Sequence, residues 1–249
     1  MSELILIEDR GAVTVLHMQH GKVNALDVDL LLAVREAVQS TPQGSAIVLT
    51  GNGRAFSAGL DLRALLDAPL GYSGELLGEL ARACRAIFDH PRPVVAAVDG
   101  AAIAGGAMLA LAADTRIMSH GVIGLPELRV GVPIPGVLME LARHVLGSHL
   151  SQHLLQGAAV DPEQALAVGL VDEIVGQEQL RDRALAVAGD LADMPVASYA
   201  LVKQGLQAAA RARMNAVPAN DEAVVASAWQ SEEVRAAIAR QVERMSKRQ

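Results

Sequence analysis

The stretch Ala101-Ala-Ile-Ala-Gly-Gly-Ala-Met-Leu-Ala-Leu-Ala-Ala-Asp114 constrains the fold more than any other part of the chain. It carries almost no bulk and no internal charge, so it belongs where backbones approach closely. It reads as the end of a strand followed by the start of a helix. Ala55-Phe-Ser-Ala-Gly-Leu-Asp61 is a second junction of the same kind. The first turn of a helix leaves its N–H donors without internal partners, and two such junctions brought together form a cradle for a developing negative oxygen. A carboxylate lies further on, Glu127 in Ile123-Gly-Leu-Pro-Glu-Leu128. Donors for an oxyanion plus one base are the groups that enolate chemistry beside a carbonyl requires. From spacing alone, Gly105-Gly106 fits tight helix–strand packing equally well, and a lone Glu fits a solvated surface.

The rest of the chain alternates short apolar runs with helical segments. Leu4–Ile7 and Val13–Met18, separated by Glu8-Asp-Arg-Gly11, predict a hairpin. Ser45–Thr50, Pro93–Val98 and Thr115–Ser119 predict strands, and helices are expected over 30–38 with Asp27 as N-cap, over 73–90, and from Gly105 towards Ala113. That order implies right-handed crossovers and a sheet covered by helices. Beyond Pro133 the pattern turns helical. Asp161-Pro-Glu-Gln164 combines a cap, a proline at the first position and a capping-box Gln, and Gly169 closes that helix. Further helices are expected over 180–193, 196–213 and 220–249, with a start signal at Ser231 and a basic, solvated end over 240–249. Residues 1–150 thus read as α/β and the remainder as all-helical. A tail of that kind needs a surface to pack on, in its own core or in a neighbouring subunit.

Composition and motifs exclude several classes. The 249 residues are 51% hydrophobic and 20% charged, enough for a sizeable core in one large or two smaller domains. Aromatics at 2% and a formal charge of −7 argue against a nucleic-acid partner. The single cysteine, Cys84, reads as a packed thiol and fits a reducing, cytoplasmic setting. The N-terminus shows no signal-peptide pattern, and no run approaches the ~18 apolar residues of a membrane span. Gly51-Asn-Gly-Arg-Ala-Phe56 fails the dinucleotide fingerprint at its last position, and Gly21-Lys22 is followed by Val, which excludes a P-loop. Ser57 lacks the glycine that a nucleophile elbow needs at 55. His149 and His153 are spaced for one helix face, but no Glu stands between them, so no metal site is expected.

Ala55–Leu62, Val98-Asp-Gly-Ala-Ala-Ile-Ala-Gly-Gly106, Ile123–Gly131 and Ala165-Leu-Ala-Val-Gly-Leu-Val-Asp-Glu-Ile-Val175 together resemble the crotonase superfamily, the enoyl-CoA hydratases and isomerases, over nearly the whole chain. The resemblance implies an α/β spiral of ββα units of the crotonase/ClpP-like kind over 1–195, then a C-terminal helical trimerisation region over 196–249. It implies trimers or dimers of trimers, and a coenzyme A thioester as substrate with no covalently bound cofactor. By resemblance, the Leu60 and Gly105 amides form the oxyanion site and Glu127 is the base. Ala58, Leu60, Asp61 and Leu62 hold the thioester arm and adenine, Gly105 and Met108 line the site, and Lys22 and Arg54 are candidates for the phosphates. Ala104 stands where many members have a third glycine, a difference of little consequence if only the 105 amide is used. Met108 stands where hydratases carry a second acid. One carboxylate suffices to move a proton from the α to the γ carbon of a 3-enoyl thioester, so isomerisation to 2-enoyl-CoA is expected. Gly131-Val-Pro-Ile-Pro-Gly136 is nearer the hydratases. Hydration or other thioester chemistry, with Asp67 or Glu75 as second acid, is the alternative, as is a non-catalytic CoA- or RNA-binding protein.

Overall fold

A computed structural model describes residues 4–69 and 71–247. Met1–Glu3, which contributed to the reading of the N-terminus, and Arg248–Gln249 of the basic end lie outside the described residues. The chain opens with the antiparallel hairpin β1 (Ile5–Asp9) and β2 (Val13–Met18), followed by α1 (Val28–Ser40). The Asp27 side chain caps α1 by accepting from the Leu30 amide at 2.8 Å. Strand–strand–helix units follow. The first is β3 (Ala46–Thr50), β4 (Ala55–Ser57), α2 (Leu62–Asp67) and α3 (Tyr72–Asp89). Next come β5 (Val94–Asp99), β6 (Ala101–Ile103) and α4 (Gly105–Leu111), then β7 (Thr115–His120), β8 (Ile123–Gly124) and α5 (Glu127–Val130). The rest comprises α6 (Gly136–Leu146), α7 (Leu150–Gln156), β9 (Ala159–Val160), α8 (Pro162–Ala167), β10 (Glu173–Ile174), α9 (Leu180–Ala192), α10 (Val196–Ala216), α11 (Ala219–Gln230) and α12 (Glu232–Ser246).

The two strands of each unit enter different sheets, which makes the spiral. One sheet has the order β1-β2-β3-β5-β7-β10, parallel from β2 onward, and the other β4-β6-β8-β9. Glycines at the corners permit the step. Gly100 and Gly121 both have φ of 89°, and a Cβ on Gly121 would lie 2.4 Å from the Gly100 carbonyl. Successive corners therefore stack backbone on backbone, where no side chain fits.

The central parallel strands β3 and β5 are buried on both faces, which is why they read as continuous apolar runs. Alternate residues divide between two cores. Val48, Val95, Ala97 and Ile117 face Leu180, Ala184 and Ala188 of α9. Ile47, Leu49, Val94, Ala96 and Val98 face the larger core, where α1, α3, α4 and α6 pack.

Two features of the second half differ from expectation or refine it. It is not all-helical. β9 pairs antiparallel with β8, and β10 pairs in parallel with β7. Two-residue strands carry no periodicity of their own; only the edge they join reveals them. The helical tail covers its own core: α10 packs on α6, α11 on α3, and α12 on α2 and α5. Asp161 accepts from the Gln164 amide at 2.9 Å to start α8, and Ser231 separates α11 from α12 by accepting from Val234 at 3.3 Å. No single helix among the described residues is long and apolar enough to cross a membrane.

Candidate active site

The site begins at Asn24, which the sequence reading passed over as a link into α1. Asn24 is fully buried with φ of 47°, a left-handed conformation that Asn tolerates better than most residues. Its Oδ1 accepts from the His20 amide at 2.8 Å, and its Nδ2 donates to the Ala55 and Phe56 carbonyls at 3.2 and 3.1 Å. Ser57 Oγ donates to the Asn24 carbonyl at 2.8 Å and accepts from the Gly59 amide at 3.2 Å. Ser57 thus shapes the turn after β4. The chain then runs beside Leu26: the Leu26 amide donates to Gly59 O at 2.8 Å and the Asp61 amide to Leu26 O at 2.9 Å. In an extended segment, successive N–H groups point to opposite sides. With Asp61 N–H turned to Leu26, Leu60 N–H is turned away from it.

The second donor arises differently. The Ala104 amide donates to Gly124 O at 2.9 Å, holding the end of β6 beside β8. Ala104 then adopts φ 51°, ψ −117°, and the chain breaks into α4 at Gly105. As the first helical residue, Gly105 has no i−4 acceptor for its N–H. Among the described residues neither the Leu60 nor the Gly105 amide has a partner. The two glycines have separate roles. A Cβ on Gly106 would stand 2.5 Å from Ser57 O, so Gly106 allows α4 to pack on β4; a Cβ on Gly105 would meet only the ends of leucine side chains, Leu26 at 3.1 Å being the nearest. Ala104 matters more than the resemblance implied, because a Cβ is strained at this φ by about 1–3 kcal/mol. Ala104→Gly is expected to raise unfolding stability by about 1 kcal/mol, net of the greater chain entropy of glycine. Urea denaturation of the two proteins checks this, and a less stable variant would refute the strain.

Leu60 and Gly105 line one cleft, together with Ala58, Leu62, Met108 and Glu127. Leu77 and Leu80 of α3, Leu138 of α6 and the segment Val132–Pro135 add apolar walls, and α11 and α12 contribute Trp229, Gln241 and Met245. Glu127 opens α5 directly after Pro126. Its carbonyl accepts from the Gly131 and Val132 amides at 2.9 and 3.0 Å, which holds the tight turn. The side chain is buried, and Oε2 has no hydrogen-bond partner. Burial in these surroundings pushes its carboxyl up to about 7, against a weaker opposing pull from its own backbone amide. Among the described residues Glu127 is the only carboxylate lining the cleft. Asp67 and Glu75, considered as second acids, are exposed and do not line it.

Other residues singled out in the sequence sit elsewhere. Asp61 does not line the cleft; its side chain caps α2, accepting from the Arg63 and Ala64 amides at 3.0 Å. Lys22 and Arg54 are exposed and outside the lining. Lys22 is adjacent to Val23, whose carbonyl accepts from the Ala58 amide at 3.0 Å, whereas Arg54 follows the Gly51–Gly53 corner. Cys84 is buried in the core. His153 is buried on α7, and no cluster of His, Cys, Asp or Glu among the described residues could hold a metal.

The sequence matches the family model for enoyl-CoA hydratase/isomerase over residues 8–248. It is 32% identical over 215 residues to a carnitinyl-CoA dehydratase of Salmonella enteritidis PT4, covering 82% of this chain and 80% of that one. A Mycobacterium tuberculosis protein, described as an enoyl-CoA isomerase in one solved structure and as a probable enoyl-CoA hydratase in another, shares 30% identity with a TM-score of 0.82, over 91% of this chain and 99% of that one in the first. Human mitochondrial delta3-delta2-enoyl-CoA isomerase has a TM-score of 0.93 over 99% of both chains at 23% identity, a likeness of fold.

Proposed function

The chain belongs to the enoyl-CoA hydratase/isomerase family of acyl-CoA enzymes, and we propose that its reaction is the shift of a 3-enoyl-CoA double bond to 2-enoyl-CoA. The thioester carbonyl oxygen rests on the free amides of Leu60 and Gly105. Ionised Glu127 removes a proton from the α carbon, and the electron pair moves into a dienolate whose negative oxygen those amides stabilise. Glu127, now a carboxylic acid, returns the proton to the γ carbon; the new double bond lies between the α and β carbons and the carboxylate is restored. Apolar walls favour this return, because little water is present to exchange with the carried proton.

The observation that carries the reading is that one buried carboxylate, with Oε2 free of any hydrogen bond, shares the cleft with Met108 and with no second acid among the described residues. The test is to assay the purified protein side by side on 3-enoyl-CoA isomerisation and 2-enoyl-CoA hydration. Faster hydration would replace the isomerase reading. That second reading is favoured by the dehydratase relative. It would need a second polar group to hold water, and Gln241 of α12 is a polar side chain that also lines the cleft.

A pH dependence follows from Glu127. The reaction starts from the carboxylate, and the folded-state value is about 7. Isomerase kcat/KM is expected to be level above pH 7 and to fall about tenfold per unit below it. A profile level down to pH 5 would show that Glu127 is not the base.

The reading extends to assembly and to the coenzyme. Leu201, Val202 and Leu206 of α10 are 68%, 63% and 71% exposed, an apolar ridge unlike a solvated helix face. It supports a homotrimer, or a dimer of trimers, buried across this ridge. Leu201→Glu with Leu206→Glu is expected to yield monomers by light scattering; a parent protein already monomeric would refute it. Lys22, beside the segment that pairs with Ala58, is retained as a candidate for the coenzyme phosphates, with Arg54 the weaker one by position.

A further inference from the structure

Exposure is graded across the cleft. Met245 of α12 is 42% exposed and marks the rim, whereas Leu77, Leu80, Leu138 and Trp229 are 5%, 3%, 2% and 4% exposed and make the floor. Three of these four are leucines, whose ends can shift. Trp229 is the largest of them, and the one held by a polar bond: its Nε1–H donates to the Pro133 carbonyl at 2.9 Å. The ring cannot swing aside without breaking this bond and leaving its buried donor unpaired. Its acceptor lies in Pro133-Ile-Pro135, where two prolines restrict the backbone. The helix that carries it, α11, packs on α3, which supplies Leu77 and Leu80.

We propose that Trp229 is the rigid end wall of the acyl slot and sets the longest acyl chain the protein accepts. The inference rests on the acyl-CoA reading above and adds to it a specificity-determining residue. Each methylene of a linear chain laid into an apolar slot raises affinity about fourfold. Affinity should therefore climb with chain length until the terminal methyl meets the indole, and then level or fall. The wall comes from the C-terminal tail, so acyl length is set by an element remote in sequence from the thioester site.

The test uses saturated acyl-CoAs of increasing length, from butanoyl to tetradecanoyl, which bind without reacting. Binding is measured by calorimetry to the parent protein, Trp229→Phe and Trp229→Ala. The parent should show a break in affinity at one chain length. Trp229→Ala should move that break outward by two or more methylenes, a gain of at least tenfold for chains just beyond it. Trp229→Phe should stay near the parent, because it keeps most of the wall. Trp229 is the sole tryptophan, so the parent's emission should shift with chain length and stop shifting at the same break. An unmoved break in folded Trp229→Ala overturns the inference. Should that variant fail to fold, parent emission that ignores chain length overturns it instead. If no acyl-CoA binds the parent at any length, the acyl-CoA reading itself falls.

Discussion

Glu127→Gln is expected to lose isomerase turnover by a factor of about 10²–10⁴, the range typical for a positioned proton-transfer group, and to unfold at a higher temperature than the parent above pH 7. The two effects have one cause. The carboxyl has a folded-state value of about 7 against an ordinary 4.5, because burial disfavours its charge and Oε2 has no partner. The folded protein then binds more protons than the unfolded chain between pH 4.5 and 7, so the group's contribution to stability falls as pH rises through that window. Above pH 7 the folded state carries a buried charge that costs about 3 kcal/mol, at 1.36 kcal/mol per pKa unit. Glutamine keeps the shape without the charge. A gain of roughly 5–10 °C in melting temperature is expected at pH 8, vanishing near pH 4. Parallel melts at the two pH values with turnover assays decide it. Undiminished turnover would remove Glu127 from the mechanism, and equal melting at pH 8 would show that its carboxylate is solvated.

Lys203→Met is expected to destabilise the protein by about 3–5 kcal/mol, the usual result of stripping one partner from a buried pair. Lys203 Nζ lies 2.6 Å from Asp114 Oδ2 and donates to the Arg92 carbonyl at 3.2 Å. The same Asp114 oxygen accepts from the Val94 amide at 2.8 Å. Burial pulls the Lys203 ammonium down and pushes the Asp114 carboxyl up, and each charge opposes the shift of the other. The pair ties α10 to the start of β5 and to the link between α4 and β7. Removing the ammonium leaves a carboxylate that water reaches poorly. Lys203→Met with Asp114→Asn should recover most of the loss, since asparagine can still accept from Val94. Urea unfolding of the two single variants and the double variant gives the coupling. A loss under about 1 kcal/mol for Lys203→Met would mean that the pair behaves as a solvated surface contact.

Much of the architecture was legible because its signals are local. The strands at 46–50 and 94–99 are short apolar runs bounded by polar or glycine turns, whereas that at 115–120 is apolar only at Ile117 and Met118. Asp27, Asp161 and Ser231 were readable as caps because a cap bonds to amides within its own first turn. The two small-residue junctions and Glu127 stood out for the same reason, and the resemblance supplied the spiral that joins them. Asn24 was missed because its partners lie about thirty residues away, at Ala55 and Phe56. The strands β9 and β10 were missed because two residues make no pattern without the neighbour they pair with.

By itself the sequence determined the chemistry on offer, backbone donors at two tight junctions and one carboxylate after a proline, and the family resemblance added that Met108 stands where hydratases carry a second acid. Tertiary structure alone decided that these share a cleft, that Asp61 turns to its own helix instead, and that Trp229 and Gln241 arrive from the tail. The physical reason is reach. Capping, turn geometry and strand burial are settled over a few residues, whereas desolvation of Glu127 and the Lys203–Asp114 pair depends on walls assembled from distant segments. A carboxylate in a linear sequence has its ordinary affinity for protons; only the apolar groups folded around Glu127 raise that affinity to near neutrality.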